Sequence, residues 1–336
     1  MRAALKVWTA RALAVPRGAK LTAAAALLLL ATLLGPRVGV TRNTFDYVIV
    51  LDITQSMNAA DVELDGKPVS RLRYAKHALQ RALSALPCGS RVGWAVFSEY
   101  RTLLLLAPVE VCDNFPELAS TLDRIDGRMS WAGASEIAKG LFSSLRTARE
   151  LPGSHGVVFL TDGHEAPPLH PAHRPQYDGK PGEVRGLVVG VGGDSLVPIP
   201  KVDPDGNPLG VWAADEVAQL DVFSRGRAGS VDAEALVDES GAADPVQRPS
   251  LTEHLSSLKE PYLRTLAREL GLGYHRLTGP EGLIAAMTAP ELARPAPTRA
   301  DLRPVLALGA LVLLAAVHLP RRRGQPWRVA LRRRGI

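Results

Sequence analysis

Two carboxylates and three hydroxyls, spread over three separated stretches, are the side chains here whose types and spacing could do chemistry together. In "DYVIVLDITQSMNAADV", Asp46 to Val62, an apolar run ends in Asp52, Thr54 and Ser56. A strand has a side-chain period of two, so oxygens on these alternate positions point the same way where the strand stops. "WAGASEIAKGL" places Ser135 at the start of a helical pattern, and "FLTDG" ends a second apolar run in Asp162. Ligands of an open parallel sheet bind beyond the carboxyl ends of its strands, and all three stretches belong to that edge. Such a set of hard oxygen donors suits Mg²⁺, or Mn²⁺ or Ca²⁺. With so few direct charges, the ion keeps a coordination position that the acidic side chain of a partner protein can fill. Each residue also has a plainer role. Thr54, Ser56 or Ser135 could cap a helix, and an Asp at the end of a strand is a turn former, so it is their joint placement that points to a metal.

The elements that must position these residues alternate in type. The strand "DYVIVLD" is followed by the amphipathic helix "RLRYAKHALQRALSAL", with Leu72, Ala75, Leu79, Ala82, Leu83 and Leu86 on one face. A hairpin over Val92 to Leu106 comes next, then helices in "FPELASTLDRI" and "SEIAKGLFSSLRTAREL". Strands in "HGVVFLTDG" and "VRGLVVGVGG" follow, and "PYLRTLARELGLGYHRL" gives a helix, a glycine stop and a last strand. Continuous apolar strands between helices imply a doubly wound α/β domain, with a mostly parallel sheet covered on both faces and one antiparallel edge strand. The domain is expected over residues 44–290, with a polar insertion at about 194–257 that includes a short helix near "AADEVAQLDVF". His164, His170 and His173, with Glu165, suggest a second metal set. Their spacing does not match a helical histidine pair and prolines intervene, so a solvated loop is the expectation.

Cys88 precedes one strand of the hairpin and Cys112 follows the other, equally far from a turn centred on Tyr100. A disulfide between them is the expectation, and two buried thiols the alternative.

The formal charge of +6 is carried by the two ends. Removing the twelve basic residues of 1–20 and 321–336, which contain no acid, leaves 28 Lys and Arg against 34 Asp and Glu, so a nucleic-acid partner is not expected. Beside each basic tail lies an apolar segment, 21–36 and 303–320, uncharged except for Arg303 at the start of the second. Both are read as membrane anchors, slightly short but flanked by Lys20, Arg37, Arg303 and Arg321, whose long side chains can reach the interface. A cleaved signal peptide is the alternative for the first and a buried helix for the second. Positive charge stays on the cytoplasmic side, which puts both termini in the cytoplasm and the main domain across the membrane.

"LDITQS" faintly resembles phosphotransferases with an aspartate nucleophile, but the position of their general acid holds Thr54. No phosphate loop, Ser-His-Asp arrangement or dinucleotide fingerprint is present, so a binding module rather than an enzyme is expected.

Asp-x-Thr-x-Ser, a hydroxyl in a Gly-rich turn and Thr-Asp-Gly together resemble the metal-ion-dependent adhesion site of von Willebrand factor type A domains. The resemblance implies metal ligation by Asp52, Thr54, Ser56, Ser135 and Asp162, with Thr54 standing where Ser is usual and Ser135 where Thr is usual. An anchored domain of this kind also resembles bacterial aerotolerance (Bat) membrane proteins associated with MoxR-like ATPases. "PCGSRVGWAVFSEYRTLLLLAPVEVC", "RIDGRMSWAGASEIAKGL", "LTDGHEAPPL" and "PIPKVDPDGNPLG" are similar to the methanol-oxidation (Mxa) group, of MxaL and MxaC type. That likeness implies a bacterial inner-membrane protein with a periplasmic domain. Its role would be accessory to assembly or calcium loading of a periplasmic methanol dehydrogenase, beside other Mxa proteins and a MoxR-like ATPase. The alternative it leaves open is a generic Bat-type protein of envelope assembly or stress tolerance.

Overall fold

All side chains from Tyr47 to Asp52 are buried, so this strand must lie inside a sheet covered on both faces. The computed structural model describes residues 16–170, 173–220 and 251–318. In chain order, its first half runs α1 (Arg17–Leu33), β1 (Arg37–Thr44), β2 (Asp46–Asp52), β3 (Val62–Leu64), β4 (Lys67–Val69), α2 (Arg71–Ala85), β5 (Arg91–Ser98), β6 (Arg101–Glu110), α3 (Phe115–Arg124) and α4 (Ile137–Glu150). The sheet continues with β7 (Gly156–Thr161) and β8 (Gly186–Gly190), and four short strands follow: β9 (Val197–Pro198), β10 (Pro200–Val202), β11 (Pro208–Val211) and β12 (Leu255–Ser256). The remainder is α5 (Glu260–Leu270), β13 (Gly273–Arg276), α6 (Pro280–Met287), β14 (Arg294–Asp301) and α7 (Arg303–His318). Thr41–Ala296 form one unit, and the described residues of the two ends form another.

The main sheet has the order β13-β8-β7-β2-β5-β6. All neighbours are parallel except β5 and β6. The two-residue period of β2 divides the core. Tyr47, Ile49 and Leu51 pack with Leu79 and Leu83 of α2, Leu118 of α3 and Leu283 of α6. Val48 and Val50 pack on the other side with Leu141 and Leu145 of α4 and Leu263 and Leu266 of α5. This is the doubly wound α/β fold expected from the alternation of strands and helices. Ser70 starts α2 by accepting a hydrogen bond from Arg73 N, and Gly271 ends α5 in the left-handed conformation that favours glycine.

The β5–β6 hairpin turns at Glu99 and Tyr100, and its register shifts around Gly93 and Trp94. A Cβ at Gly93 would sit 2.6 Å from the Leu106 carbonyl, so glycine is required where the strands bulge. Cys88 and Cys112 are joined by a disulfide just beyond the last pair, Arg91 and Glu110, with a Cα–Cα distance of 5.3 Å.

One expectation is corrected. The helix proposed near "AADEVAQLDVF" does not form within its described part, where Ala213–Leu220 is turn and bend. The rest of that stretch lies outside the described residues, as do the tails 1–15 and 319–336. The apolar segments do fold as helices, 17 residues in α1 and 16 in α7. No helix among the described residues is long and apolar enough to cross a membrane. At 1.5 Å per residue α1 is about 25 Å long, against about 30 Å of hydrocarbon. Its apolar run is cut short because the chain leaves the helix at Leu34 and turns at Gly35 and Pro36. Within the terminal unit the two helices are antiparallel. Leu28 lies against Gly309 and Val317 against Gly18, with Ala25 and Ala310 buried between them.

Gly140 tests the packing of α4 on the sheet, because an added Cβ would lie 2.0 Å from Phe97 Cε2 in the core. Gly to Ala ordinarily favours a helix interior by about 1 kcal/mol. Here overpacking costs about 1–3 kcal/mol and wins, so Gly140→Ala should lower the urea midpoint with an unchanged m-value.

Candidate metal centre

Where β2 ends, its last side chain turns into a network of hydroxyls. Asp52 Oδ1 accepts from Thr54 N (2.9 Å) and Thr54 Oγ1 (2.7 Å), and Oδ2 accepts from Thr161 Oγ1 (2.6 Å). Thr54 Oγ1 lies 3.3 Å from Ser56 Oγ. A hydroxyl whose proton is spent on Asp52 has only lone pairs left to present, which is what a cation requires. Residues Gln55–Asn58 form a single 3₁₀ turn that carries Ser56 round to the same edge.

Ser135 reaches this edge by backbone pairing. It bridges Glu99 at the hairpin tip and Ala166 in the loop after Asp162. Its N–H donates to Ala166 O (2.7 Å), and its carbonyl accepts from Ala166 N (2.8 Å). Ser135 does not cap α4. Glu165 does so from outside, its carboxylate accepting from Ile137 N (3.0 Å) and Ala138 N (3.1 Å) and from the Tyr262 hydroxyl. The Ser135 hydroxyl is left buried with no hydrogen-bond partner in the protein.

The third loop carries a partner that the sequence did not signal. Asp162 Oδ2 accepts from Arg71 Nη1 (2.5 Å) and Ser256 Oγ (3.0 Å), and Oδ1 accepts from His164 N (3.0 Å). Arg71 also forks onto Asp61, through Nε to Oδ1 (2.9 Å) and Nη2 to Oδ2 (2.6 Å). Burial works against the charge of both partners. The Arg71 guanidinium and the Gly193 N–H nonetheless hold the Asp61 carboxyl below its usual range. Hydrogen bonds and charge from Asp61 and Asp162 likewise hold the Arg71 pKa above its ordinary value.

Asp52, Thr54, Ser56, Ser135 and Asp162 are all buried at this edge. Asp52 is pushed up to about 7, first by burial and then by the nearby charge of Asp162, while its hydrogen bonds from Thr161 and Thr54 act in the opposite sense. Thr54, Ser56 and Ser135 line a cavity of about 310 Å³, which Asp52 and Asp162 do not line. The cavity is walled by Pro167, Ile199 and Trp212, and Trp212 Nε1 donates to Gln55 Oε1 (2.6 Å). The described part of the insertion therefore rests on the first loop. The residues fit a hard divalent cation on two grounds: the donor set is all oxygen, and the buried Ser135 hydroxyl lacks a partner.

The histidine loop differs from its expectation. His164 and His170 are buried rather than solvated. They form no three-ligand cluster with His173 and Glu165 among the described residues. Thr161, Asp61, Arg71 and Ser256 lie outside the spacing that singles out Asp52, Thr54 and Ser56. Thr161 could have been suspected beside Asp162, whereas nothing in the sequence marks the other three.

Residues 47–164 match the family model of the von Willebrand factor type A domain, a stretch that contains all three loops. The mostly parallel sheet with its one antiparallel strand is that α/β fold. No curated protein matches the chain. Among solved structures, the chain is similar to an aerotolerance-related membrane protein from Bacteroides fragilis NCTC 9343, at 18% identity and TM-score 0.45, covering 72% of this chain and 96% of that one. It is also similar to an uncharacterized membrane spanning protein from Vibrio fischeri, at 18% identity and TM-score 0.28, covering 71% and 93%. A von Willebrand factor type A structure from Catenulispora acidiphila matches at 12% identity and TM-score 0.38, covering 82% of this chain and 45% of that one.

Glu165 yields a pH prediction. Burial, the largest cause, raises its pKa from 4.5 to about 7, despite hydrogen bonds from Tyr262 and the α4 N–H groups. The folded protein thus holds this proton more tightly than the unfolded chain. Its contribution to stability is complete below about pH 4.5, falls as pH rises through about 7 and is flat above, by up to about 3 kcal/mol. Glu165→Gln should lose less stability than the wild type between pH 5 and 7.5 in urea denaturation. Parallel curves for the two proteins would contradict the assignment.

Proposed function

We propose that Asp52, Thr54, Ser56, Ser135 and Asp162 hold a divalent cation, with Mg²⁺ the first choice, and that this centre binds the acidic side chain of a partner protein. The observation that carries the reading is the unpartnered Ser135 hydroxyl beside a cavity that Thr54 and Ser56 also line. When bound, the ion would supply a positive charge for the partner's carboxylate. The chain's own residues do the rest: Thr161 and Thr54 orient Asp52, the Ala166 pairing fixes Ser135, and Trp212, Ile199 and Pro167 give an apolar wall for the neighbours of the incoming acid. Von Willebrand factor type A domains generally mediate protein–protein interaction, and this reading makes the chain a docking module.

The paired helices α1 and α7 are proposed to tether the domain to a membrane, with both termini cytoplasmic and the domain periplasmic. Leu27, Leu30 and Leu33 of α1 and Val305, Leu308 and Leu311 of α7 stay exposed, an apolar surface that water does not favour. From the resemblance to the Mxa group, the proposed client is a periplasmic methanol dehydrogenase, whose assembly or calcium loading the chain would assist.

The metal reading is tested by the thermal shift of the purified protein with Mg²⁺ or Mn²⁺. The wild type should be stabilised, by about 3 kcal/mol at a hundredfold excess over Kd, and Asp52→Ala should show no shift. An equal shift in the variant would remove the basis of the proposal.

A further inference from the structure

We infer that the end of the sheet opposite the metal edge is a second binding site, for a small zwitterion that carries a primary ammonium and an acidic group. A free amino acid and a phosphoethanolamine headgroup share that chemistry. The inference does not depend on the divalent-cation reading.

The site lies where β2, β7 and β8 begin, within the Thr41–Ala296 unit. Asp46, His155, Glu183, Arg185 and Arg294 line a cavity of about 450 Å³ there. Asp46 opens β2 with a side chain only 10% exposed, and His155, just before β7, is 6% exposed. Each has one buried atom without a hydrogen-bond partner among the described residues, Asp46 Oδ1 and His155 Nδ1. Their other polar atoms are fixed. Asp46 Oδ2 accepts from Arg294 Nη1 (3.1 Å), and His155 Nε2 lies 2.9 Å from the Pro152 carbonyl. That carbonyl only accepts, so Nε2 carries a hydrogen and Nδ1 of the neutral ring is left with a lone pair. The turn that brings the ring there passes through Gly153 at φ +106°, where a Cβ would crowd Nε2 at 3.2 Å.

Two buried acceptors in the lining of one cavity call for N–H or O–H donors. The surrounding charge narrows the choice. Arg294 balances Asp46, and Arg149 balances Glu183 (3.5 Å), whereas Arg185 is bonded among the described residues only to a carbonyl, that of Glu291 (3.3 Å). The lining thus has a positive charge to spare at Arg185, which disfavours a metal dication or a simple amine. A simple anion would leave Asp46 Oδ1 and His155 Nδ1 without donors. Water supplies donors but no charge for Arg185. A zwitterion answers both needs, its ammonium donating to Asp46 Oδ1 and His155 Nδ1 and its acidic group taking the guanidinium of Arg185. Arg185 is held for this by its main chain, whose carbonyl accepts from Val157 N (2.9 Å) where β7 and β8 pair.

The test is calorimetric titration of the full chain, in EDTA, with L-alanine and with phosphoethanolamine. At least one should bind saturably. Its trimethylated counterpart, alanine betaine or phosphocholine, has no N–H donor and should bind about tenfold more weakly, as should ethanolamine and inorganic phosphate, which carry only one of the two charges. Asp46→Asn and Arg185→Ala should each weaken the zwitterion by about tenfold. Arg185 is exposed, so its variant keeps the core intact. If Asp46→Asn does not fold, the methylated probes on the wild type and Arg185→Ala still decide. Dihexanoyl phosphatidylethanolamine below its micelle concentration separates the two sources. Binding that Arg185→Ala weakens identifies a lipid headgroup, and exclusion of the lipid while a free zwitterion still binds identifies the free compound. Absence of saturable binding by either zwitterion, equal binding of the trimethylated counterpart, or an unchanged affinity in folded Arg185→Ala would each overturn the inference.

Discussion

Burying carboxylates at the rim of a sheet is the constraint from which the rest of this domain's design follows. Asp52 and Asp162 are both fully buried, and the charge of Asp162 raises the cost of ionising Asp52. The fold meets that cost in two ways. Asp52 is surrounded by the hydroxyls of Thr54 and Thr161, while Asp162 is given a guanidinium and a serine. The same oxygens that make the edge tolerable are those a hard cation would use, so the stability of the rim and its capacity for a ligand draw on one set of atoms.

The sheet is what permits this concentration of charge. Its central strand is apolar on both faces, and the two helical layers leave only the strand ends for polar groups. Alternation along β2 sends odd residues to one layer and even residues to the other until the apolar run stops at Asp52. Burial there is inherited from the strand, which is why a carboxylate that would be an ordinary turn former on a surface becomes a perturbed group here.

Much of this could be read in the sequence, and for identifiable reasons. Periodicity located β2, β5, β7, β8 and the main helices, because strands covered on both faces are uniformly apolar and the helices carry clear apolar faces. The spacing of Asp52, Thr54 and Ser56 is local, so it too was visible. Arg71, Asp61 and Ser256 were not, since they meet only through the tertiary fold, across 91 residues for Arg71 and Asp162 and 185 for Arg71 and Ser256. The burial of His164 and His170 is not legible in the same way, because prolines indicate irregular backbone but say nothing of what packs on it. The first terminal helix is shorter than its apolar run because a Gly-Pro turn ends it, a boundary that hydropathy alone does not register.

The double pairing of Ser135 has a mechanical consequence. A residue stitched on one side to the hairpin tip and on the other to the loop at Ala166 cannot be drawn inward by itself. Any pull on its hydroxyl drags Glu99 and Ala166 along, and through Glu165 it reaches the first turn of α4. An ion held at the rim would thus bear on the hairpin tip and the start of α4 together, and not on Ser135 alone.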